Sequence, residues 1–333
     1  MADRITLRSF QDGDLDALVR FWNEAFAGRP NFRALTAEVY GQRVLDCPAF
    51  DPGGLILAWR QRDGAGPELA GMVHAFRPAP RGGLYDNWER RHSIALLYVQ
   101  PQSRTQGVGS RLLQAAENWL YYCPVFVGDR GQPCYGSVEG PRPPLFGSAQ
   151  HMAISARETP LIHFLAKRGY RAVDAGDVTL AAELPAPPQS PAVCDLEAAG
   201  LRAVTVSDRE PFVGREPPGR QAHTLWNGDA PYAGLVLADA DGLLQAHILW
   251  YPLPDPGHVA IGGYWVAPAR RGQGLGRYLL DRALAEMSQA APPRGGYRTV
   301  EVLTHWTAHP RATELYQRRG FEVVDAWVTL VKT

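Results

Sequence analysis

The sequence predicts a mixed α/β protein built as two tandem copies of one domain. Three observations carry this expectation. With 333 residues, the chain exceeds what one hydrophobic core usually organises. Its hydrophobic fraction of 45% beside 20% charged residues is that of a folded globular chain and excludes a disordered, collagenous or disulfide-scaffold one. It also repeats itself: Val99, Pro101, Arg104, Gln106, Gly107, Gly109, Leu112, Leu113 and Ala116 recur 167 positions later as Val266, Pro268, Arg271, Gln273, Gly274, Gly276, Leu279, Leu280 and Ala283. A second block, RGYRAVDAGDVTL from Arg168, recurs as RGFEVVDAWVTL from Arg319, an offset of 151 with one residue deleted. The offsets differ by 16, and the Gly/Pro-rich run GDRGQPCYGSVEGPRPPLFGS is predicted to hold the excess as a long loop in the first copy.

Each half reads as a strand, a helical region, a set of strands, a helix, a strand, another helix and a final strand. In the first half, Leu15 to Glu24 and Thr36 to Leu45 suit early helices. Val108, Leu112, Ala116 and Leu120 then recur every four residues, so one helical face is buried. The run ELPAPPQSPAVCD, Glu183 to Asp195, carries four prolines that keep it extended, which sets the first domain at 1–183, a linker at 184–195 and the second domain at 196–333. YAGLVLADADGLLQAHILWY predicts a hairpin around Asp239 to Gly242, and HVAIGGYWV supplies the next strand. Leu275, Leu279, Ala283 and Met287 repeat the helical stripe. Where the first half has its early helices, the second has SDREPFVGREPPGRQAHTLWNGDAP, broken by Pro211, Pro217 and Pro218.

Lys plus Arg (34) balances Asp plus Glu (34), so no global field recruits nucleic acid or anionic lipid, and any anion site must be local. Cys47, Cys123, Cys134 and Cys194 are scattered, with no CxxC pair; reduced thiols are expected rather than a zinc site or redox dithiol. The start, MADRITLRSF, has charges where a signal peptide needs an apolar core, and no stretch approaches the ~18 apolar residues of a membrane span. A cytoplasmic, monomeric protein acting without membrane, nucleic acid or metal is the resulting expectation.

The unit V-x-P-x-x-R-x-x-G-x-G stands between a strand and an amphipathic helix in both halves. Glycines let the backbone approach a ligand closely, and the first-turn amides of the helix, lacking internal partners at its positive end, suit a pyrophosphate. A dinucleotide-binding GxGxxG needs glycine where Leu112 and Leu279 stand, and a Walker loop needs Gly-Lys-Ser/Thr. At RTQGVG from Arg104 and RGQGLG from Arg271 the sequence resembles the GCN5-related N-acetyltransferase (GNAT) superfamily, whose motif Q/R-x-x-G-x-G/A binds the coenzyme A pyrophosphate. HPRATELYQRRGF resembles the family's later motif at Ala312, Leu315, Tyr316, Gly320 and Phe321, with His309 where asparagine is usual. In the first half, ETPLIHFLAKRGY keeps Gly169 and Tyr170 but has Leu165 at the tyrosine position.

The resemblance implies that each copy is a mainly antiparallel mixed sheet flanked by helices. It also implies direct acyl transfer from acetyl-CoA to a small-molecule amine, without covalent intermediate or metal. It assigns coenzyme A to Val99, Arg104, Thr105, Gln106, Gly107, Val108 and Gly109, and to Trp265, Val266, Arg271, Gly272, Gln273, Gly274, Leu275, Gly276, Arg277 and His309. Backbone N–H groups near Trp265 and Val266, where the family strand splays, are the expected oxyanion donors. Tyr316 is the expected acid for the departing thiolate, and Leu165 leaves the first half non-catalytic. The family's usual base position is Ala260; His258, two residues earlier on the same strand face, is the expected base, with His305, Glu301 or a water chain as alternatives. Trp250, Trp265 and Trp306 are core residues or the lining of an acceptor site. The missing early helices imply that the 16-residue-longer loop or another first-half surface helps close the second half's acceptor pocket. Mycothiol synthases share the tandem plan, though no residue identifies a mycothiol precursor. A non-catalytic acyl-CoA-binding protein is the alternative of another class.

Overall fold

The computed structural model describes residues 4–62, 64, 66–77, 91–121, 124–128, 134–135, 145–147, 152–185, 195–215, 231–289 and 295–333. The proline-rich linker from Ala186 to Cys194, most of the long first-half loop and residues 216–230 lie outside these, as do Cys123 and Cys194. In the first half the order is β1 (Arg4–Ser9), α1 (Leu15–Phe26), α2 (Ala37–Tyr40), β2 (Leu55–Gln61), β3 (Glu68–Phe76), β4 (His92–Val99), α3 (Val108–Leu120), β5 (Val125–Val127), β6 (Ile154–Ser155), α4 (Thr159–Ala166) and β7 (Arg171–Glu183). The second half gives β8 (Leu201–Ser207), β9 (Ala233–Asp239), β10 (Leu244–Pro252), β11 (His258–Val266), α5 (Leu275–Gln289), β12 (Thr299–His305), α6 (Pro310–Gln317) and β13 (Glu322–Lys332).

Local chemistry explains these elements. Thr36 accepts from the Val39 N–H at 3.2 Å and so starts α2. Asp239 turns the β9–β10 hairpin by accepting the Asp241 and Leu243 amides at 3.1 and 2.9 Å, with Gly242 at φ +74° closing it. The stripes Val108/Leu112/Ala116/Leu120 and Leu275/Leu279/Ala283/Met287 are buried at 0–1% exposure, as their spacing predicts. No helix among the described residues is long and apolar enough to cross a membrane.

All strands join one mixed sheet in the order β1-β2-β3-β4-β5-β13-β7-β12-β11-β10-β9-β8, with β6 paired to β13. Among the described strands only β4/β5 and β11/β12 run parallel. The two final strands are exchanged. β7, from the first half, pairs with β12 from Thr299↔Glu183 to His305↔Asp177, and β13 pairs with β5 and β6 of the first half; β7 and β13 then pair with each other and join the two sheets. The cores follow the exchange: Val178, Leu180 and Ala182 of β7 are buried with Ile261, Leu279 and Tyr316, while Leu330 of β13 is buried with Leu112, Leu165 and Tyr170. Because β7 and β13 are copies of one sequence block, each presents the side-chain pattern that the other's slot accepts.

Candidate active site

The parallel ladder between β11 and β12 is short. It pairs His258↔Thr299, Val259↔Val300, Ala260↔Glu301 and Ile261↔Val302 and then stops, although both strands continue. The cause lies on the other side of β11: Leu249 is opposite Gly263 and Trp250 opposite Ile261, so Gly262 is an extra, bulged residue that bends the strand away. The first half repeats this, its ladder ending at Ile94↔Val127 and its bulge falling on Ala95 between His74↔Leu96 and Ala75↔Ile94. Beyond each bulge the parallel ladder has no further pairs among the described residues, with Trp265 and Val266 on this diverging stretch.

Each gap leads to a glycine cradle. Arg104 Nε donates to the Val99 carbonyl at 3.0 Å and Arg271 Nε to the Val266 carbonyl at 3.2 Å. Gln106 and Gln273 likewise donate to the carbonyls of Gln102 and Ala269, at 3.0 and 3.3 Å. These side chains tie the turn to the carbonyls before it. Gly107, Gly272 and Gly274 take φ of +78°, +81° and +81°, and a Cβ on any of them would meet nothing within 4 Å, so open space lies before them. Thr105 holds the same left-handed conformation at φ +62°. Val108 and Leu275 are 1% exposed; their side chains anchor the helices, and their amides are what they present to the cradle. Gly276 is required for another reason, since a Cβ there would lie 2.6 Å from the Tyr264 hydroxyl. Arg277 sits 3.8 Å from Asp281.

Side chains divide between the sheet's faces. Tyr316, 3% exposed, is buried with Ile261 and Val302, the last paired residues before the gap, and lies 6.0 Å from the Tyr264 ring, centroid to centroid. Burial holds the Tyr316 and Tyr264 hydroxyls above their ordinary pKa, so both stay protonated at neutral pH. On the opposite face, reached by the two-residue alternation, Ala260 carries no carboxylate, but its ladder partner Glu301 does. Glu301 Oε1 lies 3.5 Å from His258 Nδ1, and its Oε2 accepts from Asn31 Nδ2 at 3.4 Å. Burial raises the Glu301 pKa, against the lowering effect of His258 and Asn31.

The first half has lost this arrangement. Leu97 and Leu165 stand where the second half has Tyr264 and Tyr316, and Leu165 is fully buried. A cavity of about 720 Å³ remains beside its cradle, lined by Tyr98, Arg104, Gly107, Gly109, Phe164 and Arg168 among others. Arg168 lies over the Phe164 ring at 3.6 Å and donates to the Phe164 carbonyl and the Ser110 hydroxyl, whereas its counterpart Arg319 forms a bidentate pair with Asp281 at 2.5 and 3.1 Å. The face of the first half that matches the Glu301 side of the second is filled. Tyr135 stacks on Trp22 at 5.5 Å and Phe146 on Phe26 at 4.5 Å; both come from the described parts of the long loop. His74, whose pKa burial pushes down to about 3, shares a hydrogen bond between its Nδ1 and the Tyr135 hydroxyl at 2.6 Å.

Other candidates fall elsewhere. His305 Nδ1 accepts the Ala308 amide at 3.0 Å and fits against Gly176 of β7, which makes it a turn-shaping residue. His309 precedes α6 as its cap residue, without a side-chain capping bond. Trp265 stacks on His247 at 5.9 Å, Trp250 is wholly buried in the α5 core and Trp306 is half exposed. Among the described residues no group of His, Cys, Asp or Glu is arranged to hold a metal ion, and Cys47 and Cys134 are buried. The sequence gives no sign of Tyr264, Asn31 or Asp255, because their places depend on strand register and contacts between halves.

The sequence profile of the Acetyltransferase (GNAT) family matches residues 16–121 and 201–321. Over 115 residues the chain is 36% identical to the mycothiol acetyltransferase of Propionibacterium freudenreichii subsp. shermanii, a match spanning 34% of this chain and 33% of that protein. A tandem GNAT protein from the clavulanic acid biosynthesis pathway aligns over 98% of both chains with a TM-score of 0.62 and 16% identity. A GCN5-related N-acetyltransferase from Sphaerobacter thermophilus aligns over 100% of this chain and 96% of its own, with a TM-score of 0.56 and 20% identity. At such identities these structures speak for the fold. The profile, by contrast, recurs once in each half and takes in more than half of the sequence, and the chain therefore belongs to the GNAT acetyltransferase family as a tandem member.

Proposed function

We propose that this protein is an acyl-CoA-dependent N-acyltransferase that moves acetyl from acetyl-CoA directly to a primary amine of a small molecule, with the chemistry in the second half. The observation that carries this reading is the gap between β11 and β12, with Glu301 and His258 on one face of the sheet and Tyr316 on the other. A thioester held in that gap by the Arg271–Arg277 cradle meets an amine from the first face and releases its thiolate toward the second. The Glu301–His258 pair takes the amine proton, the new N–C bond forms as the C–S bond breaks, and Tyr316 donates a hydrogen bond or proton to the sulfur. Amides of the diverging β11 segment stabilise the oxyanion. The first half, with leucines for tyrosines and an aromatic plug for an acceptor site, serves as a partner that retains a donor-type cavity.

The 36% identity to a mycothiol acetyltransferase favours one narrower reading, in which the acceptor is the amine of a mycothiol precursor. The test is a screen of amines with acetyl-CoA that follows free thiol, repeated with Tyr316→Phe. The variant keeps the ring and loses the hydroxyl, so kcat falls by roughly 10² while acetyl-CoA affinity stays. Wild-type turnover under conditions where chemistry is rate-limiting would assign Tyr316 to packing alone.

A further inference from the structure

The second half's proposed base is reached by a residue of the first half. Asn31 lies between α1 and α2, is 3% exposed and takes φ +55°. Its backbone N–H donates to Asp255 Oδ2 at 3.1 Å, in the turn between β10 and β11. Its Nδ2 donates to the Gly147 carbonyl at 3.1 Å and to Glu301 Oε2 at 3.4 Å, and Gly147 N–H returns a bond to the Pro30 carbonyl at 2.8 Å. Both partners of Nδ2 are pure acceptors, which fixes the orientation of the amide. The other amide atom, Oδ1, is then an acceptor, and it is buried with no hydrogen-bond partner. A buried carbonyl oxygen left unanswered is unfavourable, and it belongs to a residue whose N–H groups already hold the Asp255 and Glu301 carboxylates. What completes such a set of acceptors is a cation bearing several N–H donors. A primary ammonium supplies three.

Resting on the proposed acetyl transfer, we infer that Asn31 is a specificity-determining residue of the second half's acceptor site: its Oδ1, with Asp255 and Glu301, receives the ammonium of the acceptor, while its Nδ2 holds Glu301 in place. The bound ammonium then gives one proton to the Glu301 carboxylate, and the neutral amine attacks the thioester. The acceptor site is thus shared, and the half without tyrosines takes part by selecting the substrate.

The full-length protein is titrated with n-butylammonium and with tetramethylammonium, an ion of similar charge without N–H groups, while the Asn31 side-chain amide is followed by NMR. Its signals are assigned by their loss in Asn31→Gly, a substitution that suits the positive φ and keeps the backbone bond to Asp255. The inference expects saturable shifts with n-butylammonium alone, and at least tenfold weaker n-butylammonium binding by Asn31→Gly with acetyl-CoA binding unchanged. Equal response to both cations, no saturable response, or unaltered n-butylammonium binding by Asn31→Gly overturns it. Acetyl-CoA calorimetry on the same samples judges the acetyltransferase reading separately: a protein that ignores acetyl-CoA but binds n-butylammonium through Asn31 loses that reading and keeps only the ammonium site.

Discussion

Glu301 illustrates what a single residue can reveal. Its carboxyl faces His258 from β11, Asn31 from the first half, Asp255 from the β10–β11 turn and Tyr251 from β10, and burial, the largest influence, lifts its pKa above the ordinary 4.5. The folded protein therefore holds this proton more tightly than the unfolded chain does, so rising pH withdraws stability between 4.5 and the raised value. The same rise creates the base. We expect kcat/KM to climb with pH through an apparent pKa above the usual carboxylate range, and Glu301→Gln to lower kcat/KM by roughly 10² and to abolish that limb. A pH–rate profile of the variant that keeps the limb assigns it to another group. The sequence points only dimly to Glu301, because the usual position is Ala260 and the carboxylate arrives from the neighbouring strand through register. Thr105 was easier to see, as the residue aligned with Gly272, but its strain was not. A β-branched residue at φ +62° costs about 1–2 kcal/mol. Thr105→Gly, which gives back part of this in unfolded-state freedom, should stabilise the protein by about 0.5–1 kcal/mol, read as a higher urea midpoint.

Among the elements, the strand–turn–helix unit was the most legible, because nine matched residues at one offset specify its glycine turns, its arginine tie to the strand carbonyl and its buried helical stripe. Gly274→Glu puts a carboxylate at φ +81° into that open cradle and is expected to remove acetyl-CoA binding from the second half; calorimetry counting unchanged sites and affinity would place the donor elsewhere. The bulges at Ala95 and Gly262 were not legible, since a bulge is a relation between two strands and leaves no composition signal. Nor was the exchange of β7 and β13. Repeated blocks of nearly one pattern satisfy either slot, so the duplication that reveals the tandem plan also hides which copy pairs with which sheet. The aromatic plug escaped for a related reason: Tyr135 and Phe146 sit in a run that reads as loop, and only the packing against Trp22 and Phe26 shows what it fills.

At the scale of the whole molecule, the two halves are not separable by cutting at the linker. A fragment from Asp195 to Thr333 lacks β7, which removes Val178, Leu180 and Ala182 from the α5 core and opens the edge of β12 unless β13, its sequence copy, moves into that place. Each fully buried Val or Leu side chain contributes roughly 1.5–3 kcal/mol, on a scale where whole-domain stability is about 5–15 kcal/mol. We expect this fragment to be unfolded or aggregated by circular dichroism and gel filtration, and to be rescued by adding the Arg171–Glu183 peptide in trans; a folded, monomeric fragment would show that β13 takes the place of β7 beside β12. The exchange also sets a timetable for synthesis. On the ribosome the first half emerges whole except for the strand that fills the place beside β5, and that strand, β13, is made roughly 160 residues after β7 begins. At about 5–20 residues per second the nascent first half waits on the order of ten seconds or more with the edge of β5 bare, and β7, its own sequence copy, is the segment at hand to occupy that edge in the meantime.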